Sequence, residues 1–252
     1  MIDLMHFLHI KNICYIHFDT IDSTNTWTKK HADSLDPKQL TCITASEQTA
    51  GRGRFFRQWT SPKGENIYAT LFFRVPKGWP YLMNLGQLLS LSCISVLKKK
   101  KFHPQVKWPN DILLEGKKVS GILCETISGD SDLGIVLGIG INVNMSKEIL
   151  DRIDQPATSL SQLSGQLWKV EQILEPLLKQ FLEDLKILDE QGFSPFCPLY
   201  EELLAFKGET ITCNDGIQTL KGICHSITPD GRLNLLMPDG AIKTICAGEI
   251  KT

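Results

Sequence analysis

Between Gln48 and Trp59 the chain reads QTAGRGRFFRQW: two glycines, three arginines, two consecutive phenylalanines and a closing tryptophan. Arg52, Arg54 and Arg57 bring permanent positive charge and planar donor forks that suit carboxylate or phosphate oxygens. Gly51 and Gly53 allow unusual backbone dihedrals and close approach to a ligand. The stretch reads as an anion-embracing loop, with a solvated arginine-rich turn as the plainer alternative. Two familiar phosphate-binding templates are excluded. Phe56 stands where a dinucleotide fingerprint needs its third glycine, and no Gly-Lys-Ser/Thr follows to make a P-loop.

Four further stretches carry polar side chains at changes of chain direction. DSTN, Asp22 to Asn25, sits at a strand-to-helix junction, where it either caps the helix or offers hydrogen bonds to a ligand at its N-terminus. VKWPND, Val106 to Asp111, places Lys107, Asn110 and Asp111 around a proline that shortens its strand. Lys118 opens a strand in KVSGIL, with Ser120 on its side and Val119 on the other. In GIGINVN, Gly138 to Asn144, an apolar strand already marked by Gly134 ends in Asn142 and Asn144, and its glycines admit another backbone or a flat ligand.

The elements that must present these residues follow from hydrophobic period and turn chemistry. Strands are expected over 13–18, 40–45 and 67–75, the arginine loop being held between the second and third. A helix starts at Thr24, with Asp22 or Ser23 as its cap, and runs to Ser34. Dense apolar spacing predicts a mostly buried helix over 82–100. Two strands joined by a Glu115-Gly116 turn come next, then a glycine-studded strand, a short helix over 157–164 and an amphipathic helix over 170–189 whose leucine-rich stripe is core packing. A break at 192–198 leads to a last helix over 199–206. Beyond Lys207 the texture changes to short alternating strands, ETITC, LKGICHSI, RLNLLM and AIKTICAG, separated by Asp-Gly turns. The expected architecture is an α/β (α+β) catalytic domain over 1–206, with a central mixed sheet flanked by helices, and a small SH3-like β-barrel over 207–252.

With 252 residues, 42% hydrophobic and 22% charged, the chain can bury a substantial core. A net charge of −1 leaves no global basic field for non-specific nucleic-acid binding, so an anion site has to be local. The eight cysteines are scattered, form no CxxC pair and make no zinc cluster with the six histidines, which points to a reducing, cytoplasmic setting. The apolar N-terminus carries Asp3, histidines and no convincing cleavage site, and no uninterrupted apolar run approaches membrane-spanning length. His17, His103 and His225 are isolated and receive no catalytic role.

Taken together and in this order, DSTN, GRGR with Trp59 beyond it, VKWPND, KVSGIL and GIGINVN resemble the biotin–protein ligase family, and the terminal β-module resembles that family's small C-terminal domain. The resemblance implies ATP-dependent activation of biotin to biotinyl-5′-adenylate, then transfer to a lysine of a biotin carboxyl carrier protein. It implies the ligase-only form, because DSTN leaves little room ahead of it for a DNA-binding module, and it allows for a homodimer without nucleic-acid or membrane partners. Ser23, Thr24 and Asn25 would lie along biotin, with Gln48 at its ureido ring. Arg52, Gly53 and Arg54 would close over biotin's tail and the adenylate. Arg54 and Arg57 would meet the nucleotide, Trp59 its adenine, and Asn110 and Asn142 other parts of ATP. Lys118 is the first candidate for the cation at the reacting carboxylate and α-phosphate, and Lys107 the second, so that Lys118, Arg54 and Lys107 form the catalytic set. Mg²⁺ is implied, with Asp111 the candidate for a metal or fixed-water contact.

Each assignment has a plainer reading. Ser23 caps a helix, Trp59 fills core, Lys107 is an exposed strand residue and Asn142 satisfies a turn. The loop departs from the family where Phe55-Phe56 replaces a glycine-containing segment, which restricts its backbone while adding apolar cover. Two other functions stay open. One is a lipoate ligase or octanoyltransferase of the same architecture, although its Arg-Arg-x-x-Gly-Gly-type signature is not found here; the other is a non-catalytic biotin or nucleotide sensor.

Overall fold

The computed structural model describes residues 13–214, 216 and 218–251. The N-terminal stretch weighed above as a leader lies outside them, as does Asp215 of the Asn-Asp-Gly turn. Strands β1 (Ile13–Ile21), β2 (Leu40–Gln48), β3 (Ile67–Pro76), β4 (Pro104–Lys107), β5 (Asp111–Leu114), β6 (Lys117–Ser128) and β7 (Asp132–Ile141) make a seven-stranded sheet in the order β1-β2-β3-β7-β6-β5-β4. β1 and β2 are parallel, whereas β3 runs antiparallel to both β2 and β7, so the sheet is mixed. A separate antiparallel sheet contains β8 (Thr210–Asn214), β9 (Thr219–Ile227), β10 (Leu233–Leu236), β11 (Ile242–Ile245) and β12 (Glu249–Lys251), in the order β11-β10-β9-β8-β12. The expected α/β architecture with a small C-terminal β-module is the one found. The chain condenses into two compact units: one holds the described residues up to Pro80 with Lys118–Leu174, the other Tyr81–Lys117 with Glu175 onward.

In the first unit, Ser23 is the N-cap of α1 (Thr24–His31), its hydroxyl accepting from the Thr26 N–H at 3.5 Å. A three-residue 3₁₀ turn, Ala32–Ser34, completes the expected helical segment. Residues on β2, β3 and β7 (Ile43, Phe72 and Val136) bury themselves with Ala32, and Phe18, Trp27 and Ile127 pack against that cluster. β2 extends three residues beyond the expected Ala45 because its parallel pairing with β1 continues through Thr20–Glu47 and Ile21–Gln48. After β7 come α3 (Lys147–Leu150) and α4 (Leu160–Ser164). The helix expected from Ala157 begins only at Leu160, since Ala157 is spent on a backbone bridge to Lys118 and Ser159 caps the helix by accepting from Gln162 N–H.

The second unit contains α2 (Leu85–Lys99), the greater part of α5 (Glu171–Gln191) and α6 (Cys197–Glu202). Leu177, Leu178, Phe181 and Leu185 of the α5 stripe are buried, as the helical period requires. Between α2 and α5, Ser92 donates to Asp184 at 2.6 Å. Burial pushes the Asp184 carboxyl above the ordinary aspartate range against the opposing hydrogen bonds from Ser92 and Gln180. Gly192, at φ +73°, ends α5, and α6 starts two residues before the expected Leu199 because Pro198 fits a helical first turn. The region read from sequence as two strands is three: Trp108–Asn110 turns the chain so that Lys107 pairs with Asp111. Residues 203–205, read as helix, instead run beside β4, with Val106 N–H donating to Leu203 C=O and Ala205 N–H to Val106 C=O, both at 2.8 Å.

Phe72 is fully buried and its ring lies against Gly134. Phe72→Ala is expected to destabilise the protein by about 3–5 kcal/mol through lost burial and a residual cavity, read as a lower urea midpoint at unchanged slope.

Candidate active site

The base of the arginine loop is stitched to the DSTN turn by main-chain hydrogen bonds. Thr49 N–H donates to Ile21 C=O at 2.9 Å and Ala50 N–H to Asp22 C=O at 2.8 Å, prolonging the direction of the β1–β2 ladder. The Gln48 side-chain oxygen accepts from Thr24 N–H at 2.9 Å and Thr24 Oγ1 at 3.2 Å, while its amide donates to Ser61 Oγ at 3.0 Å. Ser23, Thr24 and Asn25 are all buried. Thr70 Oγ1 lies 2.8 Å from Thr24 Oγ1 and 2.7 Å from Asn25 Oδ1. Ser23 therefore does cap its helix, and Thr24, Asn25 and Gln48 belong to one cross-linked polar cluster.

The loop itself is a tight hairpin. Trp59 N–H donates to Gly51 C=O at 2.9 Å and Gly53 N–H to Arg57 C=O at 2.7 Å, with Arg52 bridged to Gln58 between them. This neck explains Gly51 by space and not by dihedral: a Cβ there would stand 2.4 Å from the Trp59 carbonyl oxygen and 2.6 Å from Ser61 Oγ. Gly53 likewise has an ordinary extended φ of −121°. The unusual dihedrals fall on the phenylalanines, Phe55 at φ +54° and Phe56 at φ +61°, a region that favours glycine. Phe56 is wholly exposed and the Arg54 guanidinium lies 4.9 Å from the Phe55 ring centroid. Thr49, Gly51, Arg52, Gly53, Phe56 and Arg57 line a concavity of about 250 Å³ at this hairpin.

Behind the neck, Trp59 lies on a floor without side chains. Gly121 of β6 and Gly140 of β7 are register partners, and a Cβ on them would meet the indole at 3.1 and 2.4 Å. Two residues along β7, a Cβ at Gly138 would stand 2.2 Å from Asn25 Oδ1. The glycines read as room for a backbone or a flat ligand thus hold side chains of the protein's own. Lys118 Nζ sits 5.5 Å from the Trp59 ring centroid, within cation–π range. Its backbone is clamped by 156–158, through Lys118 N–H to Pro156 C=O and Thr158 N–H to Lys118 C=O, each 2.9 Å. The same segment positions Asn142, whose Nδ2 donates to Thr158 C=O at 3.0 Å. Trp59 Nε1, Ser120 Oγ and Asn142 Oδ1 are buried without a hydrogen-bond partner, a costly condition.

Sequence reasoning missed Glu125. Its Oε1 takes Lys29 Nζ at 2.7 Å, and its Oε2 takes Asn25 Nδ2 and Arg52 Nη1, both at 3.1 Å. Burial raises its pKa, but Lys29, Asn25 and Arg52 outweigh that and hold the carboxyl below the ordinary glutamate value. A lone glutamate on an alternating strand carries no signal in sequence. The 156–158 clamp left none either, being main-chain.

Ser23, Thr24, Asn25, Gln48, Arg52, Gly53, Arg54, Arg57, Trp59, Lys118 and Asn142 all belong to the first unit. Lys107, Asn110 and Asp111 belong to the second, on and around the Trp108–Asn110 turn, and Tyr200 Oη donates to the Pro109 C=O of that turn at 3.4 Å. Among the described residues no group of three or more His, Cys, Asp or Glu side chains is placed to hold a metal. A Mg²⁺ that keeps waters and rides on substrate phosphates requires only one or two protein carboxylates, for which Asp111 is the sequence candidate.

Lys118 thus stands against an indole on a bare sheet face, in the same unit as the arginine-rich hairpin of an α/β fold. Residues 17–142 match the biotin/lipoate A/B protein ligase family. The bifunctional ligase/repressor BirA of Escherichia coli is 32% identical over 91% of this chain and 71% of its own length. The biotin–[acetyl-CoA-carboxylase] ligase of Paracoccus denitrificans is 32% identical over 91% of this chain and 96% of its own. The structure of the Aquifex aeolicus biotin protein ligase in complex with biotin and ATP superposes with a TM-score of 0.82 at 32% identity, covering 94% of this chain and 97% of that one. The chain belongs to the biotin/lipoate A/B protein ligase family, as one of its biotin–protein ligases.

Gly140→Ala places a methyl group within 2.4 Å of the indole and is expected to dislodge Trp59. The tryptophan emission that Trp59→Phe removes should shift in wavelength, and nucleotide affinity should fall about tenfold, the scale of one misplaced contact of about 1.4 kcal/mol.

Proposed function

We propose that this ligase condenses biotin with ATP to biotinyl-5′-adenylate and then biotinylates a lysine of a biotin carboxyl carrier domain. The observation that carries the reading is Lys118, fixed through its backbone on both sides and held against Trp59 over the Gly121–Gly140 pair. In the first step a carboxylate oxygen of biotin attacks the α-phosphorus and pyrophosphate leaves. Two anions must approach, so the barrier is largely electrostatic and a fixed cation at the meeting point lowers it. Lys118 supplies that compact charge. Arg54, at the hairpin tip, and Arg57, in its neck, are assigned to the adenylate, Trp59 to the adenine face, and Asn142, with an unsatisfied buried oxygen, to the nucleotide. In the second step the acceptor amine attacks the acyl carbon and AMP leaves with the bond electrons.

Ser23, Thr24, Asn25 and Gln48 are assigned to the biotin side, where a neutral ureido ring calls for hydrogen bonds and not charge. Arg52 and Gly53 are assigned to the hairpin that covers biotin's tail. Lys107 is assigned, as the second cation, to the reacting carboxylate and α-phosphate, Asn110 to the nucleotide, and Asp111 to Mg²⁺, which when bound would offset phosphate charge. The cytoplasm is the proposed compartment. All eight cysteines are free thiols, and burial pushes those of Cys42 and Cys93 up to about 12, making them packing groups. No helix among the described residues is long and apolar enough to cross a membrane.

The test is biotin-dependent ATP–pyrophosphate exchange beside lipoate and octanoate controls, followed by labelled biotin transfer to a carrier domain. Exchange with lipoate or octanoate alone overturns the substrate, and tight biotin binding without transfer overturns the activity. Lys118→Ala is expected to lower exchange by about 10²-fold or more while biotin binding changes far less; equal losses would make Lys118 a binding residue.

A further inference from the structure

We infer that Arg52 is a latch and not a ligand contact: through Glu125 it pins the neck of the arginine hairpin to β6, so Glu125 is a positioning residue for the lid. The inference rests on the ligase reading for its consequence, though not for its geometry.

The hairpin divides into a neck of paired backbone, 51–53 against 57–59, and the tip Arg54–Phe56. Arg52 lies in the neck, and its guanidinium reaches Glu125 Oε2 at 3.1 Å. Glu125 is not a casual surface partner. Its side chain is 20% exposed, and the same carboxylate takes Lys29 and Asn25 from α1. Asn25 is itself held in place, its Oδ1 accepting from Thr70 Oγ1 at 2.7 Å and lying against Gly138. One carboxylate therefore joins three pieces of chain: the strand that starts at Lys117, the helix after DSTN, and the loop neck. A shared, partly buried carboxylate with three donors is a stronger anchor than an isolated exposed ion pair. The Glu125 contact commits Arg52 Nη1 and draws the guanidinium toward β6, whereas Arg54 is carried on the tip. The latch fixes where the hairpin pivots and leaves the tip to move. In the ligase this division retains the reactive adenylate without stiffening the part that has to open for the acceptor lysine.

The experiment is a double-mutant cycle on full-length protein with Glu125→Gln, Arg52→Gln and the pair, read in two ways. The first is tryptic cleavage after Arg54 and Arg57, followed by mass spectrometry in the absence of substrates. The second is release of biotinyl-adenylate formed from biotin and ATP. Each single variant should speed both by about tenfold, and the pair should fall well short of the product of the two, because the Arg52–Glu125 contact is lost in each, although Glu125→Gln also weakens the contacts of Lys29 and Asn25. Glu125→Asp, which keeps the charge, should recover part of the protection, which loss of packing alone would not allow. The latch is overturned by wild-type cleavage in Glu125→Gln, or by a pair whose losses multiply, which would put Arg52 on the ligand. A wild-type protein without biotin-dependent adenylate would sink the ligase reading and leave the cleavage arm to judge the latch.

Discussion

Everything at the site depends on the absence of side chains from part of one face of the β6–β7 ladder. Gly121, Gly138 and Gly140 leave the sheet bare where Trp59 and Asn25 come down on it, at separations that no Cβ would permit at Gly138 and Gly140 and that a Cβ would crowd at Gly121. The indole then gives Lys118 its neighbour, and the carboxamide gives Glu125 one of its donors. Three positions with no side chain thus determine where a cation, an aromatic face and an anchor for the lid are found. A side chain at any of them crowds Asn25, Trp59 or Lys118, which separates these glycines from Gly134, whose neighbour is the packing residue Phe72.

The legible parts of the fold were those in which each residue reports its own environment. The stripe on α5 and the dense apolar spacing of α2 gave those helices to within three residues at each end, and DSTN marked the start of α1 with Ser23 as its cap. The illegible parts are main-chain or long-range. Nothing in Gln155 to Thr158 announces that its backbone brackets Lys118, and nothing in Leu203 to Ala205 that it runs beside β4. Of the site, the motif residues were readable as types, but their partners were not. Arg52 was readable as a cation, but its ion pair with Glu125, 73 residues away, was not.

The hairpin tip shows how local preference yields to context. Two phenylalanines with positive φ each cost roughly 1–2 kcal/mol relative to the right-handed basin. A tight neck imposes that conformation, since the paired backbone of 51–53 and 57–59 leaves only three residues to turn the chain. The stacking of Arg54 on Phe55 is among the contacts that offset part of the cost. The tip is thereby strained where glycines would relax it.

The Trp108–Asn110 turn is held by residues far along the chain. Trp108 Nε1 donates to Gly231 C=O at 3.0 Å, across 123 positions, and the same carbonyl takes Gln87 Nε2 at 2.6 Å while Asn84 Nδ2 donates to Asp230 C=O at 2.9 Å. Val106 likewise waits for Leu203 and Ala205. During synthesis this motif emerges roughly half a chain before its supports, so for many seconds on the ribosome its tryptophan has no native acceptor. The polypeptide has to keep this segment soluble through that interval.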